Sequence, residues 1–193
     1  METNPNHHNE GRYRRSRIAT LCDPDFRGLT CSEYVVLSYL APAEIVPCLS
    51  FESAAIAVIE SKADFLVMPA AYPKGANIIY WLKLAYDDTI AFPLPRMVLA
   101  GPDPNRLRHV AKLYYQPATE SLISELEVEA IDDTESVPST VIAAFAAKQN
   151  GGQSACITSA VAAEGLGLTE YQTLRVEHVV PWLIYRKRVD AAA

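Results

Sequence analysis

Long hydrophobic runs are missing from this chain of 193 residues. No apolar stretch approaches the roughly 18 residues that a spanning helix needs, which argues against a helical membrane protein. The start, METNPNHHNEGRYRRSR, is polar and has no apolar core, so it does not read as a secretory leader. The expected compartment is therefore the cytoplasm. Positive charge is scarce. Seventeen Lys and Arg stand against 23 Asp and Glu, giving a net charge of −6 and a pI near 5.2. A non-specific nucleic-acid binder needs a basic field, so nucleic acid is not an expected partner. Cysteine is limited to positions 22, 31, 48 and 156, with no CxxC pair. That spacing suggests neither a zinc ribbon nor a disulfide scaffold, but reduced, mostly buried thiols. P-loop, GxGxxG and GxSxG motifs are also absent. No metal and no cofactor are expected; His7 and His8, on a polar tail, make only a weak metal site.

What is present describes a folded protein. Half of the residues are hydrophobic and 21% are charged. The length suits one domain, or two small lobes. Residues 1–17 read as a disordered tail, with Arg12, Arg14, Arg15 and Arg17 as a solvated basic arm. From Ile18 the chain alternates short apolar runs with capped helical segments. IATLC, EIVPCL and DFLVMP read as strands. TCSEYVVLSYL, capped by Thr30 or Ser32, and FESAAIAVIESK, capped by Ser50, read as helices. IIYWLKLAY fits a strand or a one-face helix, and TIAFPLPRMVLAG a bent strand or crossover. HVAKLYY, EVEAID and SACIT are further strands. Among them lie helices opened by Pro117, by Ser139-Thr140 and by Thr158-Ser159. The closing segment YQTLRVEHVVPWLIYRKRV holds one long strand or two short ones. Two consecutive β-α series predict an α/β fold of two lobes, about 18–97 plus 172–190 and 98–171, with a ligand cleft between them.

The chemistry-bearing residues sit in hydroxyl-rich loops at helix starts: Thr30-Cys31-Ser32-Glu33, Ser139-Thr140 and Thr158-Ser159. Hydroxyls and free N–H groups at helix N-termini suit a carboxylate, while each loop alone is also an ordinary cap. Only His178 among the histidines lies in a late, ordered segment where it could face a ligand. The carboxylates at 125–133 read as solvated surface.

These segments resemble prephenate dehydratase domains over about residues 18–188. LTCSEYVV is similar to their GTxSExA opening, FESAAIAVIESKADFLVMPAAY to their helix, strand and Pro-Ile-Glu-Asn-Ser loop, and YYQPATESLISE to their His-Pro helix start. SACITSAVAAEGLGL is similar to their AAIAS segment. The resemblance implies a two-lobed prephenate dehydratase-like fold, of the type II periplasmic-binding-protein-like class. The departures are chemical. Val180-Pro181-Trp182 stands where the dehydratases carry Thr-Arg-Phe, Ala70-Ala71-Tyr72 replaces the Glu-Asn-Ser loop, and Leu29 replaces a glycine. No regulatory domain follows within the 193 residues. The variant pattern is closest to the bacilysin-type prephenate decarboxylases, which carry a Pro-x-Ala-Tyr loop (here Pro69-Ala70-Ala71-Tyr72), an FES segment (Phe51-Glu52-Ser53) and a late tryptophan. Ala70 stands where their histidine is expected, which leaves the proton donor open.

That resemblance implies a lyase of secondary metabolism that removes a carboxylate from prephenate, or a related cyclic acid, without aromatisation. Glu33, Tyr72 and Trp182 are its implied catalytic residues, with Tyr72 and Trp182 walling the ring. Thr30, Ser32, Ser139, Thr140, Thr158 and Ser159 are implied to bind the substrate. The partner would be a small anionic cyclic acid; a homodimer is an open alternative to a monomer. Two other readings stand beside it. One is a dehydratase-like enzyme acting on another ring acid or thiol derivative in a sulfur-containing tropone pathway, with Cys31 as a low-pKa thiol. The other is a non-catalytic carboxylate-binding module.

Overall fold

A computed structural model describes residues 12–40, 43–81, 83–105, 108–176 and 178–189. The chain divides into two compact units. The first comprises residues 1–28, 32–92 and 179–193, and the second 29–31 and 93–178.

The first unit is a five-stranded sheet with helices at its crossovers. Its strands are β1 (Arg17–Leu21), β2 (Glu44–Cys48), β3 (Phe65–Pro69), β4 (Leu84–Pro93) and β10 (Val179–Lys187), in the order β2-β1-β3-β10-β4. β1 pairs in parallel with β2 and β3, and β10 runs antiparallel to β3. Helices α1 (Cys31–Tyr39), α2 (Phe51–Ile59) and α3 (Gly75–Ile79) link β1 to β4. The parallel pairs require such crossovers. α2 begins where the sequence predicts: the Ser50 hydroxyl accepts from the Ser53 N–H, and Ser53 returns a bond to the Ser50 N–H. Its apolar stripe of Phe51, Ala54, Ala55 and Val58 packs against Ala19, Leu66, Met68 and Tyr185. IIYWLKLAY contributes its first two residues to the end of α3 and its last three to the start of β4.

The second unit repeats that arrangement. Its strands are β5 (Met97–Gly101), β6 (His109–Tyr115), β7 (Ala130–Ser136), β8 (Ser154–Ser159) and β9 (Thr169–Arg175), in the order β7-β6-β8-β5-β9. β6 pairs in parallel with β7 and β8, and β5 runs antiparallel to β8 and β9. In each sheet one antiparallel strand lies between the third and fourth strands of its series: β10 in the first sheet, β5 in the second. Helices α4 (Thr140–Asn150) and α5 (Ala160–Gly165) start at Ser139 and Ser159 caps, whose hydroxyls accept from the Ile142 and Ala162 N–H groups. Gly151, at φ 61°, ends α4 in the left-handed region that favours glycine. The segment opened by Pro117 is a 3-10 helix over Pro117–Glu125.

Several expectations are corrected. The basic arm is not a disordered tail throughout. Residues 1–11, with His7 and His8, lie outside the described residues, but Tyr13 is buried and Arg17 already belongs to β1. The Tyr13 ring meets Phe65 edge to face, and its hydroxyl donates to Asp87 at 3.0 Å, while Arg12 pairs with the same carboxylate. A tyrosine inside an Arg-rich stretch gives no apolar period, so its burial has no local signal. The strand expected at EVEAID instead runs over Ala130–Ser136, an exposed acidic edge whose Asp132 and Asp133 pair with His109 and Lys112 of β6. Charge on an edge strand discourages pairing with another chain.

Candidate functional site

The predicted residues fall into two groups, one in each unit. In the first, the groups meet where β3 ends. Trp182 of β10 lies opposite Pro69 in the ladder, and the Ala70 N–H donates to the Pro181 carbonyl at 2.9 Å. The sheet thus joins two motif segments that the sequence separates by more than 100 residues: Pro69-Ala70-Ala71-Tyr72 and Val180-Pro181-Trp182. Tyr72 follows in a turn, half-buried, with its ring edge-on to Phe51. Its hydroxyl donates to Glu52 and lies 3.0 Å from both carboxylate oxygens. Burial, and then the Glu52 carboxylate, push the phenol up to about 12. Glu52 was not among the expected site residues; the FES resemblance was the signal available in the sequence.

Tyr72 and Trp182 do not form one aromatic wall. Successive strand residues face opposite sides of a sheet. Leu183 and Tyr185 pack in the α2-side core with Tyr72, so Trp182 and Ile184 face the other side. Trp182 is buried, and its indole N–H has no hydrogen-bond partner among the described residues. Such donors are rare in folded proteins, because burying one without a partner is costly.

Glu33, in the first turn of α1, is 1% exposed and closes the preceding loop. Its carboxylate accepts from the Gly28 N–H at 2.8 Å and pairs with the Arg27 guanidinium at 3.2 Å. The Cys22 thiol is pushed up to about 12 by burial and by its hydrogen bond to Glu33. Ser32 and Thr30 are buried beside it in sequence.

In the second unit, residues 29–31, the end of β8 and the starts of α4 and α5 come together. The side chains of Thr140 and Ser159 lie beside the Cys31 thiol. Thr158 is fully buried and donates to the Thr140 carbonyl at 2.8 Å. Its single proton is therefore directed to a carbonyl inside the fold. Ser139 and Ser159 accept the cap bonds, and Ser159 is buried. Burial raises the Cys31 thiol above its ordinary value, the opposite of the low-pKa thiol expected for a helix start. Desolvation outweighs the hydroxyl contacts because a thiolate loses far more hydration than a thiol. His178 is held down by burial, and then by the Arg175 charge, and its Nδ1 has no partner among the described residues.

No protein-family model and no curated protein matches this chain. Solved structures do. A prephenate dehydratase from Arthrobacter aurescens, in complex with L-Phe, superposes with a TM-score of 0.69 at 16% identity, covering 92% of this chain and 62% of that one. The prephenate dehydratase of Staphylococcus aureus gives a TM-score of 0.60 at 17% identity, covering 90% of this chain and 68% of that one. GqqA, described as a novel type of quorum-quenching acylase, gives 0.65 at 17% identity, covering 92% of this chain and 66% of that one. This chain thus spans about two thirds of the length of these proteins. The fold is the expected two-lobed α/β fold, prephenate dehydratase-like. At such identities the likeness concerns the fold alone. No helix among the described residues is long and apolar enough to cross a membrane.

Proposed function

We propose that this chain is a prephenate decarboxylase-like lyase of secondary metabolism, acting in the cytoplasm on prephenate or a related cyclic acid. The observation that carries the reading is the junction of the two divergent motifs, with Trp182 opposite Pro69 and the Ala70 N–H on the Pro181 carbonyl. Val180 and Pro181 stand where a dehydratase has its threonine and arginine, and neither side chain can donate a proton or carry charge. Nothing at those positions helps a ring hydroxyl to leave. Loss of the ring carboxylate needs less help. The C–C bond breaks, carbon dioxide departs, the electron pair enters the diene, and a ring carbon takes up one proton. Apolar surroundings favour this step, because the localised carboxylate loses more solvation than the spread-out transition state. Tyr72 is the residue of the first unit assigned to ring contact. Ser139, Thr140 and Ser159 supply hydroxyls suited to a carboxylate. Glu33, tied to Gly28 and Arg27, acts as a positioning residue for the start of α1.

A carboxylate-binding module without catalysis is the second reading. It is favoured by the internal commitment of Thr158 and Glu33, which leaves few groups for acid–base work. The sulfur-pathway reading loses support, because burial raises the Cys31 thiol. One experiment separates these readings: purified protein is mixed with prephenate while carbon dioxide, absorbance and product mass are followed. The lyase releases carbon dioxide above the spontaneous rate without forming an aromatic product. Phenylpyruvate formed well above the spontaneous rate would refute the proposal, and binding without turnover would leave the module.

A further inference from the structure

Tyr72 carries one hydroxyl proton, and that proton is already directed. Glu52 sits in the first turn of α2, and its two carboxylate oxygens lie equidistant from the phenol oxygen at 3.0 Å. A carboxylate only accepts, so the phenol must be the donor. The Phe51 ring, edge-on at a centroid distance of 4.8 Å, braces the tyrosine against rotation. Both Glu52 and Tyr72 are half-buried, so the pair is neither sealed in the core nor loose in water. What the phenol still offers is its remaining lone pair.

We propose that Glu52 is a positioning residue that makes Tyr72 a hydrogen-bond acceptor toward a ligand hydroxyl, so that this site selects ring acids carrying a free hydroxyl. The inference rests on the ring-acid reading above and deepens it. A donor at this point would polarise the ring C–O bond and help expel water. An acceptor takes the hydroxyl's proton in a hydrogen bond, leaves electron density on its oxygen, and keeps the C–O bond intact. The residue pair therefore biases a bound hydroxylated acid away from dehydration without touching the carboxylate that is lost.

The test uses two stable probes, 4-hydroxycyclohexane-1-carboxylate and its 4-methoxy analogue, titrated calorimetrically into the whole protein. The ether oxygen accepts but cannot donate, so the pair isolates the direction of the bond. The native protein is expected to prefer the hydroxy acid by about fivefold, the worth of one neutral hydrogen bond. Glu52→Leu frees the phenol proton and should abolish or invert that preference. Glu52→Gln, whose amide oxygen still accepts, should keep it. Tyr72→Phe should lose it without inversion, and it serves should Glu52→Leu fail to fold. Equal affinity of the native protein for both probes, or an undiminished preference in Glu52→Leu or Tyr72→Phe, overturns the proposal while leaving the ring-acid reading standing. If neither probe binds the native protein, this inference is overturned, and the ring-acid reading is decided separately by the prephenate assay.

Discussion

Glu33 illustrates how one buried side chain can hold a loop together. Its carboxylate satisfies the Gly28 N–H and balances Arg27 at the start of α1. Arg27 is 55% exposed, whereas Glu33 is 1% exposed, so the two ends of the pair differ in worth. Replacing Glu33 by Ala strands a part-buried amide and removes the partner of Arg27. The expected loss is about 2 kcal/mol in urea unfolding, against less than about 1 kcal/mol for Arg27→Ala. Equal losses would show that the exposed cation, not the buried acceptor, holds the loop. Cys31 makes a related point. Its position at a helix start argues for acidity, yet its burial between Thr140 and Ser159 raises the thiol.

At the scale of elements, the caps were legible because each depends on residues three apart. Ser50, Ser139 and Ser159 all accept the expected N–H bonds. α4 gives the cleanest measurement, because its Ser139 cap is only partly buried and its far end is closed by Gly151. Ser139→Ala should lower stability by about 1 kcal/mol, read as a shift of the denaturation midpoint without a change of slope. Ser139→Asp should recover most of the loss, since an aspartate caps as well and complements the helix dipole. If Ser139→Ala left stability unchanged, the hydroxyl would have to be serving something other than the cap. Element ends were less legible. β7 reaches through an acidic stretch because Lys112 and His109 stand on the neighbouring strand, and a polar run by itself reads as a loop.

At the scale of the molecule, buried phenols and thiols set a shared pH response. Burial raises Tyr13, Tyr72 and Tyr171 above the ordinary tyrosine value of 10.0, and Cys22 and Cys156 above the ordinary thiol value of 9.0. Above pH 9 the unfolded chain therefore gives up protons that the native protein keeps. Stability is whole below that point and falls as pH rises, by up to about 1.4 kcal/mol per pH unit for each group. Urea midpoints at pH 7.5, 9.5 and 10.5 should fall steadily, most steeply in the last interval. A midpoint that held constant to pH 10.5 would mean that these groups titrate alike in both states. Tyr13 belongs to this set only because Phe65, Asp87 and Asp88 close around it from far along the chain.

The sequence by itself determined what depends on near neighbours: the alternating β-α series, the serine caps and the α/β class. Only the tertiary structure decided which sheet each late strand enters. β9 and β10 lie a few residues apart, yet one joins the second sheet and the other the first. It also decided the partners of the candidate residues. Glu52 and Tyr72 are 20 residues apart, and Pro69 meets Trp182 only through the β3–β10 ladder. Strand pairing and hydrogen bonds between distant residues are selected by the collective burial of one core. No local window of the sequence carries that energy.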